Sequence, residues 1–288
     1  MARCRPVLRH SGAARAIAGL FLAIALTWCA GAMAAAGVDL YRAQTVVTGQ
    51  GEASRMIGFA TCLEDVLIKV SGAQKLAGDR RLASYKSHAK DFVRAFSYHD
   101  QFAGKPIRDE QGTRDRPYDL TVDFEDRKID DVLKALSLKP WLSQRPPLAV
   151  FVEMEQGPRN FIVASDGAQS DLQRDALLAA ADRRGMNIVL PSAAALAKSS
   201  LDGKKLLTAP SSTLMPLAAG QAEFALIGRL VWDDQALGWT TNWQIDWQGR
   251  THRWQVRGVT FDEAFRRGIG GAAQILSDNG DPGSYVQR

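Results

Sequence analysis

Polar and mostly apolar positions alternate on both sides of a turn in the segment 239–256, and this alternation constrains the fold more than any other feature of the sequence. Before a turn at residues 248–250, one face of the segment holds Trp239, Thr241, Trp243, Ile245 and Trp247. After the turn, His252, Trp254 and Val256 share a face. Side chains two residues apart in a strand point to the same side. The pattern therefore predicts an antiparallel hairpin with one apolar and one polar face.

An apolar sheet face needs a cover, and the segment that follows the hairpin offers one. Its apolar side chains recur at helical spacing and are Phe261, Ala264, Phe265, Ile269, Ala272, Ala273 and Leu276. Thr260 and Glu263 have the spacing of a capping box at the start of this helix. We therefore favour a buried core for most of the tryptophans.

The alternative is that several rings stay exposed and form a binding surface. The candidate residues for this surface are Trp232, Trp239, Trp243, Trp247 and Trp254. A mixed arrangement would bury the inner rings and leave Trp232 or Trp239 at a rim.

The rest of the chain mixes helical and extended patterns, which indicates an α+β fold. Apolar residues three and four apart over 56–70 predict a long helix that ends at Gly72, a residue suited to a left-handed cap. Residues 82–96 predict a second helix, and alternation over 118–124 predicts a strand. The nearly continuous apolar run 148–154 predicts a strand at the centre of a sheet.

Pro146 and Pro147 favour an extended connector. We expect two α/β lobes with mixed sheets, an N-terminal lobe at 37–142 and a C-terminal lobe at 143–278. The second lobe would contain the Trp-rich antiparallel hairpin, covered by the C-terminal helix. Residues 279–288 lack periodicity and are expected to form a flexible tail.

The first 36 residues have the layout of a cleaved signal peptide. Four arginines precede an apolar run at 16–28, and small residues at 32–36 offer cleavage sites. This run is shorter than the roughly 20 residues of a spanning helix, which favours cleavage over a membrane anchor. Trp28 before Cys29 disfavours lipidation at that cysteine. The expected location is the periplasm, with no integral membrane segment after cleavage.

Charge and cysteine content narrow the possible partners and sites. The leader holds four of the 36 Lys and Arg residues and none of the 31 Asp and Glu residues, which leaves 32 basic against 31 acidic side chains. A nearly neutral chain has no electrostatic basis for binding nucleic acid. Beyond the leader only Cys62 is left, so an internal disulfide and a multi-cysteine metal site are excluded.

Motifs for catalysis or cofactor binding are incomplete. His88, His99 and His252 lack the spacing of metal ligands. Gly49 and Gly51 begin like a dinucleotide-binding loop, but Ser54 stands where the third glycine is required. We predict no catalytic residue, no cofactor and no metal, and we lean against an enzyme, with an unrecognised periplasmic hydrolase as a lesser alternative.

Several short motifs resemble an uncharacterised bacterial family of exported proteins, domain of unknown function 2066. They are LYRAQTVV at 40–47, LIKVSG at 67–72, RPPLAV at 145–150, RGM at 184–186 with Leu190-Pro191, and LIGRL at 226–230. The resemblance covers most of the chain after the leader and implies no activity or site residue, because the family has none assigned. The element order of the second lobe is also similar to small α/β domains of envelope proteins. These are the amino-terminal domain of TolB, the periplasmic domain of the curli secretion channel and the lipoprotein activators of penicillin-binding proteins.

These observations predict an exported periplasmic protein without enzymatic activity that binds another cell-envelope component, in envelope assembly or maintenance. The alternative is a protein that binds glycan or peptidoglycan through exposed tryptophans.

Overall fold

The computed structural model describes residues 39–104, 116–199, 201–218, 222–283 and 285–286. The leader predicted at 1–36 lies outside these residues. From Asp39 onward the described residues form one compact unit. The fold is α+β with two separate sheets, which confirms the predicted fold class.

Helices and strands are interspersed along the chain. The helices are α1 (Glu52–Ser71), α2 (Ala83–Ser87), α3 (Asp126–Ala135), α4 (Asp171–Arg184), α5 (Ala193–Ser199), α6 (Ser211–Leu214) and α7 (Phe261–Leu276). The strands are β1 (Arg42–Thr48), β2 (Val93–Asp100), β3 (Pro117–Phe124), β4 (Leu148–Gln156), β5 (Arg159–Ile162), β6 (Ile188–Val189), β7 (Phe224–Asp233), β8 (Gly238–Trp247), β9 (Arg250–Val259) and β10 (Tyr285–Val286). Among the described helices, none combines the length and apolarity that crossing a membrane requires.

The smaller sheet has three antiparallel strands in the order β1-β3-β2. Strand alternation sends Leu120, Val122 and Phe124 into a core that they share with α1. The opposite face carries the polar side chains of β3, Asp119, Thr121 and Asp123. The predicted strand at 118–124 is confirmed, and it is the central strand of this sheet.

The helix predicted at 82–96 is wrong. α2 ends at Ser87, a 3₁₀ turn covers Ala89–Phe92, and β2 begins at Val93. The apolar spacing of Phe92 and Phe96 fits a helix, but Phe96 and Tyr98 also alternate as strand residues do. The pairing of β2 with β3 favours the strand over the helix, and the two strands are distant from each other in the sequence.

The larger sheet has the strand order β10-β9-β8-β7-β4-β5, with β6 also pairing with β4. β4 and β7 are parallel, whereas β7, β8 and β9 are antiparallel neighbours. The inner face packs against α4 and α7. Part of the outer face packs against the segment 203–218. Residues 148–152 of β4 are apolar on both faces because both faces are covered there, as the sequence predicts.

The Trp-rich hairpin consists of β8 and β9, and α7 covers its apolar face. Trp243 and Trp254 are register partners whose rings stack with centroids 6.4 Å apart and planes 15° apart. Glycines of α7 make room for these rings. A Cβ on Gly268 would lie 2.4 Å from Trp243, and one on Gly271 would lie 2.6 Å from Trp254.

Caps end or begin three of the helices as the sequence predicts. Gly72 and Gly185 close α1 and α4 with φ of 74° and 62°. Thr260 caps α7 by accepting from the Glu263 N–H at 3.3 Å. The reciprocal half of the predicted capping box is absent from the described contacts, because the Glu263 carboxylate pairs with Arg266 and Arg267.

Buried charged residues connect α1, which packs on the smaller sheet, with α4, which packs on the larger sheet. Asp65 on α1 pairs with Arg184 on α4 at 3.1 Å and with Arg183 at 2.5 Å. Arg145 donates to the backbone oxygens of Lys69 and Arg184. Burial lowers the pKa of Arg145 to about 10, and it also lowers the pKa of Lys69. The region therefore holds α1 against α4 through charge-assisted hydrogen bonds.

Residues predicted to belong to a flexible tail make specific contacts. Asn279 donates to the Ser71 oxygen at 2.9 Å, at the end of α1. Asp281 pairs with His252 on β9. Tyr285 and Val286 form a short parallel strand along β9.

Candidate functional site

A cleft of about 400 Å³ lies at one end of the larger sheet, where β4 finishes. β4 and β5 form a hairpin at this end, and residues at the start of α4 line the cleft with them. β8 begins at the same end, since Trp239 pairs with Trp232 near the end of β7. The carboxyl ends of parallel strands are frequent ligand sites in α/β sheets.

Apolar side chains form the floor of this cleft. They are Met154 on β4, Phe161 on β5 and Trp239 on β8. Met154 and Phe161 are register partners, so strand alternation places both on the inner face. Trp239 is only 7 % exposed and is held by an edge-to-face contact with Trp232, with centroids 5.5 Å apart.

Polar side chains surround the floor. Gln156 and Arg159 are register partners on either side of the β4–β5 turn, whose Gly157 has a φ of 57°. Gln169 and Gln173 approach from the start of α4. Within the described part of the chain, none of these four side chains has a hydrogen-bond or ion-pair partner. Their donors and acceptors are therefore free for a ligand.

The turn between β7 and β8 lies at the same end of the sheet. Asp233 accepts from the N–H groups of Gln235 and Ala236, and Asp234 accepts from Trp232 Nε1 at 2.9 Å. Leu237 is 78 % exposed and has a φ of 47°. This left-handed conformation is rare for a leucine and costs on the order of 1 kcal/mol.

The five tryptophans proposed as a binding surface occupy different environments. Trp243 and Trp254 are buried beneath α7, where they are core residues. Trp247 is half-buried against Phe224, with centroids 5.0 Å apart. Trp239 lines the cleft and Trp232 packs beside it. Of the five rings, only Trp239 is among the described lining of this cleft, where it is buried, and Trp232 packs beside it.

Sequence reasoning did not identify the polar part of this cleft. Gln156, Arg159, Gln169 and Gln173 follow no catalytic or binding motif, and Phe161 looks like an ordinary strand residue. Gly157-Pro158 was a turn signal that could have shown where β4 ends. It would not have shown that α4 begins nearby.

A second groove, of about 330 Å³, lies beside the buried charges that join the sheets. Its charged lining residues include Asp65, Lys69 and Arg183. Asp65 and Arg183 pair with each other, and Lys69 donates to the Arg42 oxygen at 2.8 Å. These three side chains already have intramolecular partners, so the groove has fewer free donors and acceptors for a ligand than the cleft at β4.

Elsewhere in the described residues, no group of three or more His, Cys, Asp or Glu side chains is arranged to hold a metal ion. Cys62 is buried, and burial raises the pKa of its thiol to about 12.

Residues 34–142 match the model of a family described as Domain of unknown function (DUF8605). This segment is less than half of the chain and contains the three-stranded sheet with α1 to α3. Curated proteins and solved structures give no match.

The expected membership of domain of unknown function 2066 is therefore wrong, because the model that matches belongs to a different family. The motifs behind that expectation are short. LIKVSG at 67–72, for example, encodes the buried end of α1 and its glycine cap, a combination that many unrelated helices share. The similarity of the second half to TolB, the curli channel and the activator lipoproteins finds no support among solved structures.

Proposed function

We propose that this chain is an exported, non-enzymatic binding protein of the bacterial cell envelope, and that the cleft at the end of β4 binds a glycan of the peptidoglycan type. The observation that carries the proposal is an apolar floor containing Trp239 and Phe161, surrounded by four polar side chains without intramolecular partners.

Such a lining matches the chemistry of a sugar. The C–H faces of a pyranose ring pack against aromatic and apolar side chains, while its hydroxyl and acetamido groups need donors and acceptors nearby. Glutamine offers both, through its carbonyl oxygen and its NH₂ group. The volume of about 400 Å³ lies within the roughly 300–1,000 Å³ of small-ligand sites.

Export to the periplasm is the second part of the proposal and depends on the N-terminal pattern of residues 1–36. Expression of the full chain in a Gram-negative host, followed by fractionation and N-terminal sequencing, tests it. We expect a periplasmic product that begins near residue 37. A full-length product in the cytoplasm would contradict export.

Binding is tested by cosedimentation of the mature chain with purified peptidoglycan sacculi. The variants Gln156→Ala and Gln173→Ala remove one free amide each and leave the apolar floor intact. A hydrogen bond contributes about 0.5–1.5 kcal/mol, so each variant should bind about 2- to 10-fold more weakly.

Gln44→Ala is the matched control, since Gln44 lies on the exposed face of β1 and outside the cleft. It should bind as the unmodified chain does. An equal loss of affinity in all three variants would contradict the proposed site. The absence of any binding of the unmodified chain to sacculi and to soluble muropeptides would contradict it as well.

A protein partner is the second candidate, favoured by the edges of the smaller sheet. In the described part of the chain, β1 and β2 each pair with β3 alone, and Phe96 on β2 is 45 % exposed. An unpaired strand edge is a template for β-strand addition. A photocrosslinker at Ser97 should then give a specific adduct in the periplasm, and one at Lys134 on α3 should not.

A further inference from the structure

We infer that the ligand of the cleft at β4 carries a single carboxylate, so that the site selects an acidic sugar over its neutral counterpart. This inference rests on the proposed function and specifies the ligand class of the same site.

Arg159 is the one charged residue among the side chains that line the cleft in the described structure. It is the first residue of β5, it shares the inner face with Phe161, and both line the cleft. A guanidinium group presents five N–H donors in a planar fork that fits a carboxylate with two parallel hydrogen bonds.

The carboxylates close to Arg159 in the chain do not neutralise it. Glu153 and Glu155 lie on the opposite face of β4, because they alternate with Met154 and Gln156. There they pair with Arg229, at 2.8 Å and 2.6 Å.

The carboxylates on neighbouring elements are engaged as well. Asp171, at the start of α4, pairs with Arg174 at 2.8 Å. Asp234 accepts from Trp232, and Asp166 accepts from the Ala193 N–H at 2.7 Å. Arg159 has no ion-pair partner among the described residues, so the lining of the cleft itself carries one unpaired positive charge.

The size of this charge indicates the kind of anion. The other polar side chains of the rim are Gln156, Gln169 and Gln173, which are uncharged. One guanidinium beside three amides balances a monoanion, whereas a phosphate near neutral pH carries between −1.5 and −2. A sugar with one free carboxylate, such as a uronic acid or a lactyl ether of an amino sugar that carries no peptide, meets this requirement.

The experiment is calorimetric titration of the mature chain with two matched pairs, N-acetylglucosamine against N-acetylmuramic acid and glucose against glucuronic acid. We expect each acid to bind at least 10-fold more tightly than its neutral partner at low salt. Added salt should narrow this preference, because the cleft is open to solvent.

Arg159→Gln should abolish the preference for the acids, because it weakens the binding of the acids at least 10-fold more than the binding of the neutral sugars. Arg159→Lys should keep part of the preference, since it retains the charge and loses the planar fork. Arg127→Gln is the control. It removes the same charge from the exposed surface of α3 and should leave every affinity unchanged.

The outcomes separate the two proposals. Equal binding of acid and neutral sugar, with no effect of Arg159→Gln, overturns the carboxylate inference and leaves glycan binding in place. Tighter binding of glucose 6-phosphate than of either acid also overturns it. Absence of binding by all four sugars and by muropeptides contradicts the proposed function, and the inference fails with it.

Discussion

Trp243 contacts α7 so closely at Gly268 that a Cβ on this glycine would lie 2.4 Å from the indole ring. The same ring also lies against Gly228 on β7, where a Cβ would approach to 2.5 Å. Both glycines are therefore packing residues. They allow the largest side chain of the hairpin to lie between the sheet and its covering helix.

Gly268→Ala should destabilise the protein although alanine favours helix formation. Overpacking of this kind costs about 1–3 kcal/mol, which exceeds the gain of roughly 1 kcal/mol in helix propensity. Urea unfolding followed by tryptophan fluorescence measures the difference. Gly283→Ala is the control, because no heavy atom lies within 4 Å of its would-be Cβ. Equal stability of the two variants would mean that α7 is not packed tightly on Trp243.

Asp65→Asn should be among the most destabilising polar substitutions in the chain. It removes the carboxylate that pairs with Arg184, whose side chain is only 5 % exposed. Breaking one partner of a buried ion pair costs about 3–5 kcal/mol. The surface pair of Arg94 and Asp126 at 3.5 Å is the comparison, and Asp126→Asn should cost less than about 1 kcal/mol. Comparable unfolding midpoints for both variants would contradict the role given to Asp65.

Stability should fall in acid partly through Glu263. Burial opposes ionisation of this carboxyl, but hydrogen bonds from Arg267 and Arg266 outweigh it and hold the pKa below its usual 4.5. A carboxyl whose pKa is lower in the folded than in the unfolded state stabilises the protein at pH values above the unfolded-state pKa. This stabilisation is lost as the pH falls through the folded-state pKa. Glu263→Gln should cost about 1 kcal/mol at pH 7, and its difference from the unmodified chain should shrink below pH 4. A difference that is constant with pH would contradict the assignment.

Cys62 should report on unfolding. Its side chain is fully buried, and burial raises the pKa of the thiol from 9.0 to about 12. Because the thiolate is the reactive form, the folded chain produced from residue 37 onward should react negligibly with Ellman's reagent at pH 8. One thiol per chain should become reactive in denaturant. Rapid labelling of the native protein would show that the α1 core opens readily.

The hairpin and its covering helix could be predicted because their information is local. The alternation over 239–256 and the helical spacing over 261–276 are each visible within a short stretch of sequence. The two-residue period of a strand then predicts which face of the hairpin each of its tryptophans occupies. The strand at β2 was missed because Phe92 and Phe96 satisfy both periods. Its conformation is settled by pairing with β3, a segment more than 15 residues away.

The cleft at β4 could not be predicted for a different reason. It combines the end of β4, the start of β5, the start of α4 and the first residues of β8. Trp239 and Gln156 come together only because β7, between them in the sheet, pairs with both β4 and β8. Polar residues such as Gln169 and Gln173 have no periodic signal of their own. Their position depends on where α4 begins relative to the sheet.

The most direct test of the central claim, that the cleft beside Trp239 is the ligand site, is nuclear magnetic resonance of the indole N–H groups in the mature chain during titration with a muropeptide. The signals of Trp232 and Trp239 should shift in a saturable manner. Those of Trp243 and Trp254, buried beneath α7, should stay unchanged. Shifts confined to Trp247 or Trp141, or no shift of any indole at saturating ligand, would contradict the account.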